Sequence, residues 1–385
     1  MRICRLLSVI FMIITSIDAG QVGSRETVER ISQIMTNETI SEVNSVGAAA
    51  GAWSDFASLL NAHKGEMHHA LSKLKLYFQT FGYEDLHAGS NPSDEFDNTT
   101  EAAVRLYQEN FGLPVTGILD AATIGQLTKP RCGREDVVNG TSVMHLHNHH
   151  GGNRSLIDIT GTKRFQHFPG SPSWISSSNL TYAFAPSFAK FRVPELLRRS
   201  AFAMAFAEWS AVVPLSFVEI IDFESADIKI DFVGGEHGDG NPFDGILGIL
   251  AHAFAPEDGR FHLDSAEYWS VHVHREASNF AIDLQSVVVH EIGHLLGLAH
   301  SSDQTAIMFP SIGPKEVRIH LAQDDIMGVQ ELYGVRHVHN VRPQGDGQSG
   351  LPASDSPQSS IQLNNILALL ALLLTHLILY YFIAD

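Results

Sequence analysis

Three histidines near residue 290 have the types and spacing of metal ligands. His290 and His294 are four residues apart, so on a helix both imidazole rings project from one face, where they can share one ion. Gly297 can adopt a positive φ, which ends a helix and turns the chain so that His300 supplies a third nitrogen. Three nitrogen ligands leave the fourth tetrahedral position of a zinc ion open to water.

Glu291 lies beside these ligands without being one of them, which suits a general base. Zinc lowers the pKa of its bound water from 15.7 to about 7, and a carboxylate can take the proton as hydroxide attacks a peptide carbonyl. The same carboxylate can deliver that proton to the leaving amine. HExxH alone also occurs by chance in helices. Gly297, His300 and the downstream Met308, the predicted Met-turn, extend it to the metzincin signature, which argues against coincidence.

Composition limits the partners of this chain. Its 385 residues, 44% of them hydrophobic, provide for two modest domains plus segments that are removed. A net charge of -18 argues against nucleic acid, because phosphate binding needs a concentrated basic face that the sequence lacks. Acidic residues near glycines suggest calcium sites instead.

Residues 1–20 predict a secretory signal peptide. Arg2 and Arg5 precede the apolar run 6–14, which is too short to span a membrane, and Ala19 and Gly20 follow it. The N-x-Ser/Thr glycosylation sequons are at Asn37, Asn98, Asn139, Asn153 and Asn179. These sequons agree with passage through the secretory pathway.

The C-terminal end predicts a membrane anchor on the outer face of the cell. A polar linker at 336–360 precedes the hydrophobic segment 361–385, and no Lys or Arg follows Arg342. A stop-transfer helix normally leaves basic residues on the cytoplasmic side, whereas a GPI signal ends with its hydrophobic tail. We therefore expect GPI attachment near Ser354, with a single-pass helix as the alternative because the length would permit it.

Cysteine use points to an inhibitory ligand. Cys4 lies in the signal, so the secreted chain keeps only Cys132 and can form no intrachain disulfide. A thiolate is a strong zinc ligand, with a Zn–S distance of about 2.3 Å, and it can displace the catalytic water. Cys132 therefore predicts a latent form in which it ligates the catalytic zinc. The alternative is an unpaired surface thiol.

The sequence PRCG at 130–133, upstream of HExxHxxGxxH, resembles the cysteine switch of the matrix metalloproteinases, specifically the plant type without a hemopexin domain. The resemblance covers roughly residues 50–335. It implies a zinc endopeptidase zymogen that cleaves extracellular or cell-surface proteins, and it implies that Arg131 pairs with a carboxylate to fix the switch. The chain departs from the family at Arg134 and Glu135. At these two positions, just before the Asp that matches Asp136, the family more often has a small or apolar residue followed by Pro. Latency is therefore expected to be weaker or differently triggered.

The resemblance also implies the fold class, α+β. A metzincin domain with a twisted five-stranded sheet and three helices is expected at 163–335. The propeptide, 21–162, would hold an all-α, three-helix, peptidoglycan-binding-like domain at about 50–130, the switch at 130–136 and an activation linker. An activating protease, not identifiable from the sequence, would cut this linker. Glycan binding by the helical domain is a rival function, although fold alone does not carry function.

Local patterns predict where several elements lie. Apolar residues at helical spacing occur near 71–78, 102–107 and 123–127. A helix is expected over 194–212 and the helix of His290 is expected to begin near Leu284. Strands are expected over 180–184 and 227–232. The linker histidines His145, His147, His149 and His150 could bind metal, or could simply keep the linker soluble.

Matches to the family's motifs imply further metal sites. A closed set of four ligands suits a structural zinc, and the matching residues are His237, Asp239, His252 and His262. The residues that match a calcium site are Asp244, Gly245, Leu247, Ile249, Asp264 and Glu267, with Asp231 at another. A solvated acidic loop is the plain alternative.

The expected cleft has two sides. A strand over 249–255 could pair with an extended substrate through main-chain hydrogen bonds, and Pro310, Ser311 and Ile312 should line a pocket that takes an apolar residue such as Leu after the cleaved bond. The resemblance also implies that one Asp near 324 receives the new N-terminal ammonium after activation.

Two other interpretations remain. One is a catalytically silent cell-surface binding module, against which the intact Glu291 and its three histidines argue. The other is an astacin-like or adamalysin-like zincin, which is disfavoured because those enzymes rely on disulfides that this chain cannot form.

Overall fold

A computed structural model describes residues 51–85, 91–144, 164–175, 178–186 and 192–336. Asn37, Asn153, Ser354, the linker histidines and both predicted terminal signals lie outside these ranges. Within them, no helix has the length and apolar character needed to cross a membrane.

The N-terminal part is helical, as predicted. A 3-10 helix at Ser54–Leu59 precedes α1 (Ala70–Thr80), α2 (Asn98–Asn110) and α3 (Ala121–Leu127). The carboxylates of Asp97 and Asp120 accept backbone N–H bonds at the starts of α2 and α3, which supplies partners for donors that the first turn leaves unpaired. The core of this part is rich in aromatic rings stacked edge to face, among them Tyr77, Phe78 and Tyr107.

The strands are β1 (Arg131–Cys132), β2 (Val137–Val138), β3 (Thr141–Ser142), β4 (Asn179–Phe184), β5 (Ser216–Glu219), β6 (Ile228–Val233), β7 (Ile249–Ala253), β8 (Arg260–Asp264), β9 (Trp269–Ser270) and β10 (Ile282–Asp283). The main sheet has the order β1-β7-β8-β6-β4-β5, and only β7 and β8 are antiparallel neighbours in it.

Five strands of this sheet come from the expected catalytic part, in agreement with the implied five-stranded sheet. The sixth, β1, is the switch segment itself, which pairs in parallel with β7. Strand alternation accounts for β6, where buried Ile228, Ile230 and Phe232 alternate with partly exposed residues.

Three helices complete this part: α4 (Glu195–Ser210), α5 (Leu284–Leu295) and α6 (Gln323–Tyr333). The starts of α4 and α5 agree with the sequence prediction. Trp209 of α4 is fully buried, and its indole N–H donates to the carbonyl oxygen of Val289 in α5 at 2.9 Å. This contact ties α4 to the helix that carries His290.

The helical part and the catalytic part share apolar contacts. Phe243, Ile249 and Phe309 belong to the same apolar cluster as the helical core. The rings of Phe111 and Phe309 meet edge to face with centroids 5.6 Å apart. The helical part therefore packs directly beside the cleft that β7 borders.

Close packing beneath α5 explains the glycine within it. A Cβ on Gly293 would lie 2.2 Å from Met308 Sδ and 3.0 Å from Trp209. Gly125 in α3 has open space instead, with nothing within 4 Å of such a Cβ. Gly293 and Gly125 thus differ in the space around them.

We expect Gly293→Ala to lower the free energy of unfolding by about 1–3 kcal/mol, because the added methyl overpacks the site. Gly125→Ala is the matched control and should leave stability unchanged or raise it by up to about 1 kcal/mol. Denaturant unfolding of both purified variants measures this. Equal stability of the two variants would contradict the packing assigned to Gly293.

Candidate active site

Four potential metal ligands from three segments converge on one point. Helix α5 brings the Nε2 atoms of His290 and His294 to 3.1 Å, and Cys132 Sγ lies 3.3 Å from His294 Nε2. Gly297 has φ +99°, and a Cβ there would lie 2.2 Å from a carbonyl oxygen, so this turn requires glycine. The turn returns His300 to the group, whose donor atoms all lie within 4.8 Å of one another.

Each histidine is oriented by a hydrogen bond at its other ring nitrogen. Nδ1 of His290 and of His294 lies 2.7 and 2.8 Å from the carbonyl oxygens of Ile307 and Leu298. Carbonyl oxygens can only accept, so Nδ1 carries the proton and the Nε2 lone pair is free to bind a metal. His300 Nδ1 contacts Asp136 Oδ1 at 2.7 Å, and no described residue pairs with its buried Nε2. The set fits tetrahedral zinc.

Burial sets the charge of the groups at this point. It lowers the pKa of His290 to about 3 and lowers those of His294 and His300, which keeps the rings neutral and able to ligate. Burial also raises the pKa of Glu291 to about 8, and in the described structure neither of its oxygens has a hydrogen bond of ordinary geometry. A cation beside Glu291 would favour its ionised form.

The switch segment lies in the cleft and makes hydrogen bonds to both of its walls. Four backbone hydrogen bonds hold it: Arg131 N–H to Gly248 O (3.0 Å), Gly133 N–H to Ala251 O (2.8 Å), Cys132 N–H to Pro310 O (2.9 Å) and Ile312 N–H to Pro130 O (3.1 Å). The first two join the segment to the β7 side and the last two to the opposite wall. A peptide in this cleft can therefore be bound through its main chain alone.

Arg131 has the carboxylate partner that the resemblance implied. Its guanidinium makes two bonds to Asp136, of 2.8 and 2.7 Å, and both side chains are fully buried. Although burial opposes it, the Arg131 guanidinium holds the pKa of Asp136 well below its usual range. The contact from Asp136 to His300 was not predicted, because residues 164 positions apart meet only when the segment docks.

A second group of four ligands lies on β7, β8 and the preceding loop. Asp239 Oδ2 lies 3.0 Å from His237 Nε2, 2.8 Å from His252 Nε2 and 2.8 Å from His262 Nδ1. His252 and His262 face each other in the β7–β8 register. These are the residues predicted for a structural zinc, and no position in a four-ligand set is left open.

The residues predicted for calcium are gathered less tightly. Burial raises the pKa of Asp244 to about 6 and that of Glu267 to about 8, and Asp264 adds like charge to both. Asp264 Oδ2 and Glu267 Oε2 are buried, with no hydrogen-bond partner among the described residues. Crowded carboxylates with unused oxygens fit a hard cation.

Other members of the predicted calcium set shape this region through their backbone conformation and backbone hydrogen bonds. Leu247 has φ +59° and Gly245 φ +90°, so the loop takes a sharp course. Leu247 N–H donates to Glu267 at 2.6 Å and Ile249 N–H to Asp244 at 2.7 Å. Asp231 lies on β6 opposite His262, and no potential metal group that includes Asp231 occurs in the described ranges.

Comparisons with known proteins agree with this geometry. Residues 173–334 match the family described as matrixin, and 68–127 match a peptidoglycan binding domain. Metalloendoproteinase 2-MMP of Arabidopsis thaliana is 43% identical over 317 residues, which cover 80% of each chain. Metalloendoproteinase 1 of Glycine max is 44% identical over 276 residues, covering 71% of this chain and 85% of that protein. Matrix metalloproteinase-20 of Homo sapiens is 39% identical over 253 residues, covering 64% of this chain and 44% of that protein.

The chain belongs to the matrixin family. It is a metalloendopeptidase with protein substrates. Matrixins depend on zinc, and calcium is typical of them. The buried nitrogen, sulfur and oxygen atoms of this chain are of the types that bind these two ions.

The pocket of this matrixin borders His290 and Glu291. Pro310, Ser311 and Ile312 line it, as does Arg318, which sequence reasoning missed. Met308 is fully buried against Gly293 of α5. Its turn is held by Asp325, whose carboxylate accepts the backbone N–H groups of both Ile307 and Met308. No motif in the sequence indicated these roles for Arg318 and Asp325.

Three of the predicted glycosylation sequons lie at the surface. Asn98, Asn139 and Asn179 are exposed in the matrixin structure, which makes these sequons accessible.

Asp324 contacts the first described residues of the catalytic part. Its Oδ1 accepts the backbone N–H groups of Arg164 (2.9 Å) and Phe165 (3.0 Å).

We expect Asp136→Asn to destabilise the matrixin by about 3–5 kcal/mol, because it leaves the buried Arg131 charge uncompensated. Denaturant unfolding measures the loss, and the reaction rate of Cys132 with a thiol reagent, which should rise, measures opening of the cleft. Glu101→Gln breaks an exposed pair with Arg105 at 3.0 Å and should cost less than about 1 kcal/mol. Matching behaviour of the two variants would contradict the importance given to the buried pair.

Proposed function

We propose that this matrixin is made as the secreted zymogen of a zinc- and calcium-dependent endopeptidase. The observation that carries the proposal is that Cys132 Sγ lies 3.3 Å from His294 Nε2 while its segment fills the cleft. In this latent form Cys132 completes the zinc set of His290, His294 and His300.

In the active form Glu291 is the general base. Zinc held by His290, His294 and His300 would acidify a water and polarise the substrate carbonyl. Glu291 would take a proton from water and pass it to the leaving amine. Strand β7 and the wall at 310–312 bind the substrate main chain, and the pocket beside His290 takes an apolar side chain. His237, Asp239, His252 and His262 would hold a structural zinc. Calcium would be held by Asp244, Asp264 and Glu267 with the backbone of Gly245, Leu247 and Ile249.

Activation follows cleavage of the linker before residue 164. The backbone N–H groups of Arg164 and Phe165 already contact Asp324. A new amino terminus at this point would carry a charged ammonium beside that carboxylate. Asp324 is therefore the acidic residue that we assign to the new N-terminus, and the resulting ion pair would stabilise the cleaved form.

The enzyme should cleave a quenched peptide that has Leu after the scissile bond, once the propeptide is removed. Activity should disappear with a chelator and fall by roughly four or more orders of magnitude in Glu291→Gln, since general-base catalysis and water orientation are both lost. Cys132→Ser should be active before processing. Its matched control is the unprocessed wild type, which should be inactive.

Each other outcome of this assay identifies what is wrong. Equal activity of the wild type before and after processing would remove the role of Cys132. If the folded, zinc-loaded and processed wild type cleaves no peptide, a catalytically silent binding module becomes the better account.

We also propose that a GPI anchor, attached near Ser354, tethers the enzyme to the outer face of the plasma membrane, where its substrates are extracellular or cell-surface proteins. The apolar segment 361–385 and the polar linker with small residues around Ser354 support this proposal. Phosphatidylinositol-specific phospholipase C should release the enzyme from intact cells, while a control with a single-pass helix should stay bound. Retention of the enzyme would favour the membrane-spanning alternative.

A further inference from the structure

Arg134 of the switch segment lies against two aromatic rings. Its guanidinium carbon is 5.4 Å from the centroid of Phe168 and 5.2 Å from that of Phe254, which is within the range of cation–π attraction. Its Nε is buried and has no hydrogen-bond partner in the described ranges. The guanidinium of Arg134 therefore lies against the faces of the two rings, and its Nε donates to no described acceptor.

Both rings belong to the catalytic part and border the active site. Phe254 directly follows β7, and the Phe168 ring lies 5.5 Å from the ring of His294. Phe168 N–H donates to Gly297 O at 3.1 Å, and the neighbouring His167 contacts Gly328 O at 2.9 Å. Phe254 N–H donates to Arg260 O at 3.0 Å. None of these bonds involves the switch segment, so the backbone of both phenylalanines keeps its anchors when Arg134 leaves.

We propose that Phe168 and Phe254 form a subsite for a basic side chain, Arg or Lys, of the protein substrate, and that Arg134 occupies this subsite in the latent form. The inference rests on the proposed peptidase function and specifies its substrate class. The departure of Arg134 from the family pattern then has a physical role, because the inhibitory segment fills the subsite with the side chain that the subsite prefers.

Charge around the subsite is compatible with a second cation. Arg260 lies on Phe254 at 3.9 Å, but its charge is paired with Asp258 through contacts of 2.7 and 2.8 Å. Residues 164–336 carry 22 Asp and Glu against 11 Lys and Arg, so the processed enzyme has a general attraction for basic substrates.

The test compares arginine with citrulline, which has nearly the same shape without the charge. In peptides with Leu after the scissile bond, one residue is changed to arginine or to citrulline, one position at a time, and the processed enzyme is assayed. At one position the arginine peptide should have a kcat/KM roughly three- to tenfold higher. This ratio should fall to about one in Phe254→Leu.

Tyr268→Leu is the matched control. Tyr268 also carries an arginine on its ring, Arg192 at 3.4 Å, but it lies outside the proposed subsite. It should keep the arginine-to-citrulline ratio of the wild type. Loss of the ratio in this variant as well would contradict the assignment to Phe254.

A second measurement uses a synthetic peptide of residues 130–136 as an inhibitor of the processed enzyme. Replacing its Arg134 by citrulline should weaken inhibition of the wild type by a similar factor, and should change inhibition of Phe254→Leu little. This comparison tests the same contact without varying the substrate.

The outcomes separate this inference from the function on which it rests. If no peptide is cleaved, the peptidase function fails. If peptides are cleaved but arginine and citrulline are equivalent at every position, or leucine is better than arginine throughout, the peptidase function stands and the basic-residue subsite is wrong.

Discussion

The convergence of three imidazole nitrogens and one sulfur within 4.8 Å is the constraint on which the rest of this structure depends. Such donors have lone pairs that repel each other unless a cation lies between them, and each must also be aimed. The aiming comes from Ile307, Leu298 and Asp136, which accept from Nδ1 of the three rings. Helix α5, the glycine turn and the switch segment have to meet for this to happen.

Much of this site follows from local sequence, because local geometry decides it. Four-residue spacing places His290 and His294 on one helical face, and only glycine fits the turn at residue 297. These features need no knowledge of the tertiary fold. The sequence also predicted the three helices of the N-terminal part and the start of α5 for this reason. Apolar periodicity and capping residues are short-range signals.

What the sequence could not predict depends on docking. Arg131 was expected to pair with a carboxylate, yet the bond from Asp136 to His300 exists only because the segment lies in the cleft. The sixth strand arises in the same way, since two residues become a strand only beside β7. At Arg134 the family comparison predicted altered latency, while the aromatic partners Phe168 and Phe254 come from distant positions that no local pattern connects to it.

In the proposed zymogen, covalent connection would explain how the switch segment can block the cleft and later leave it. Four backbone hydrogen bonds join the segment to the walls of the cleft, and the net contribution of each is modest. Tethering would add to them, because linkage raises the effective concentration of a segment at its binding site. In the proposed zymogen, cleavage of the linker would remove that advantage. Dissociation would then also withdraw Asp136 from His300, so that water would replace the carboxylate that orients the third ring. The same event would therefore open the cleft and change the surroundings of a metal ligand.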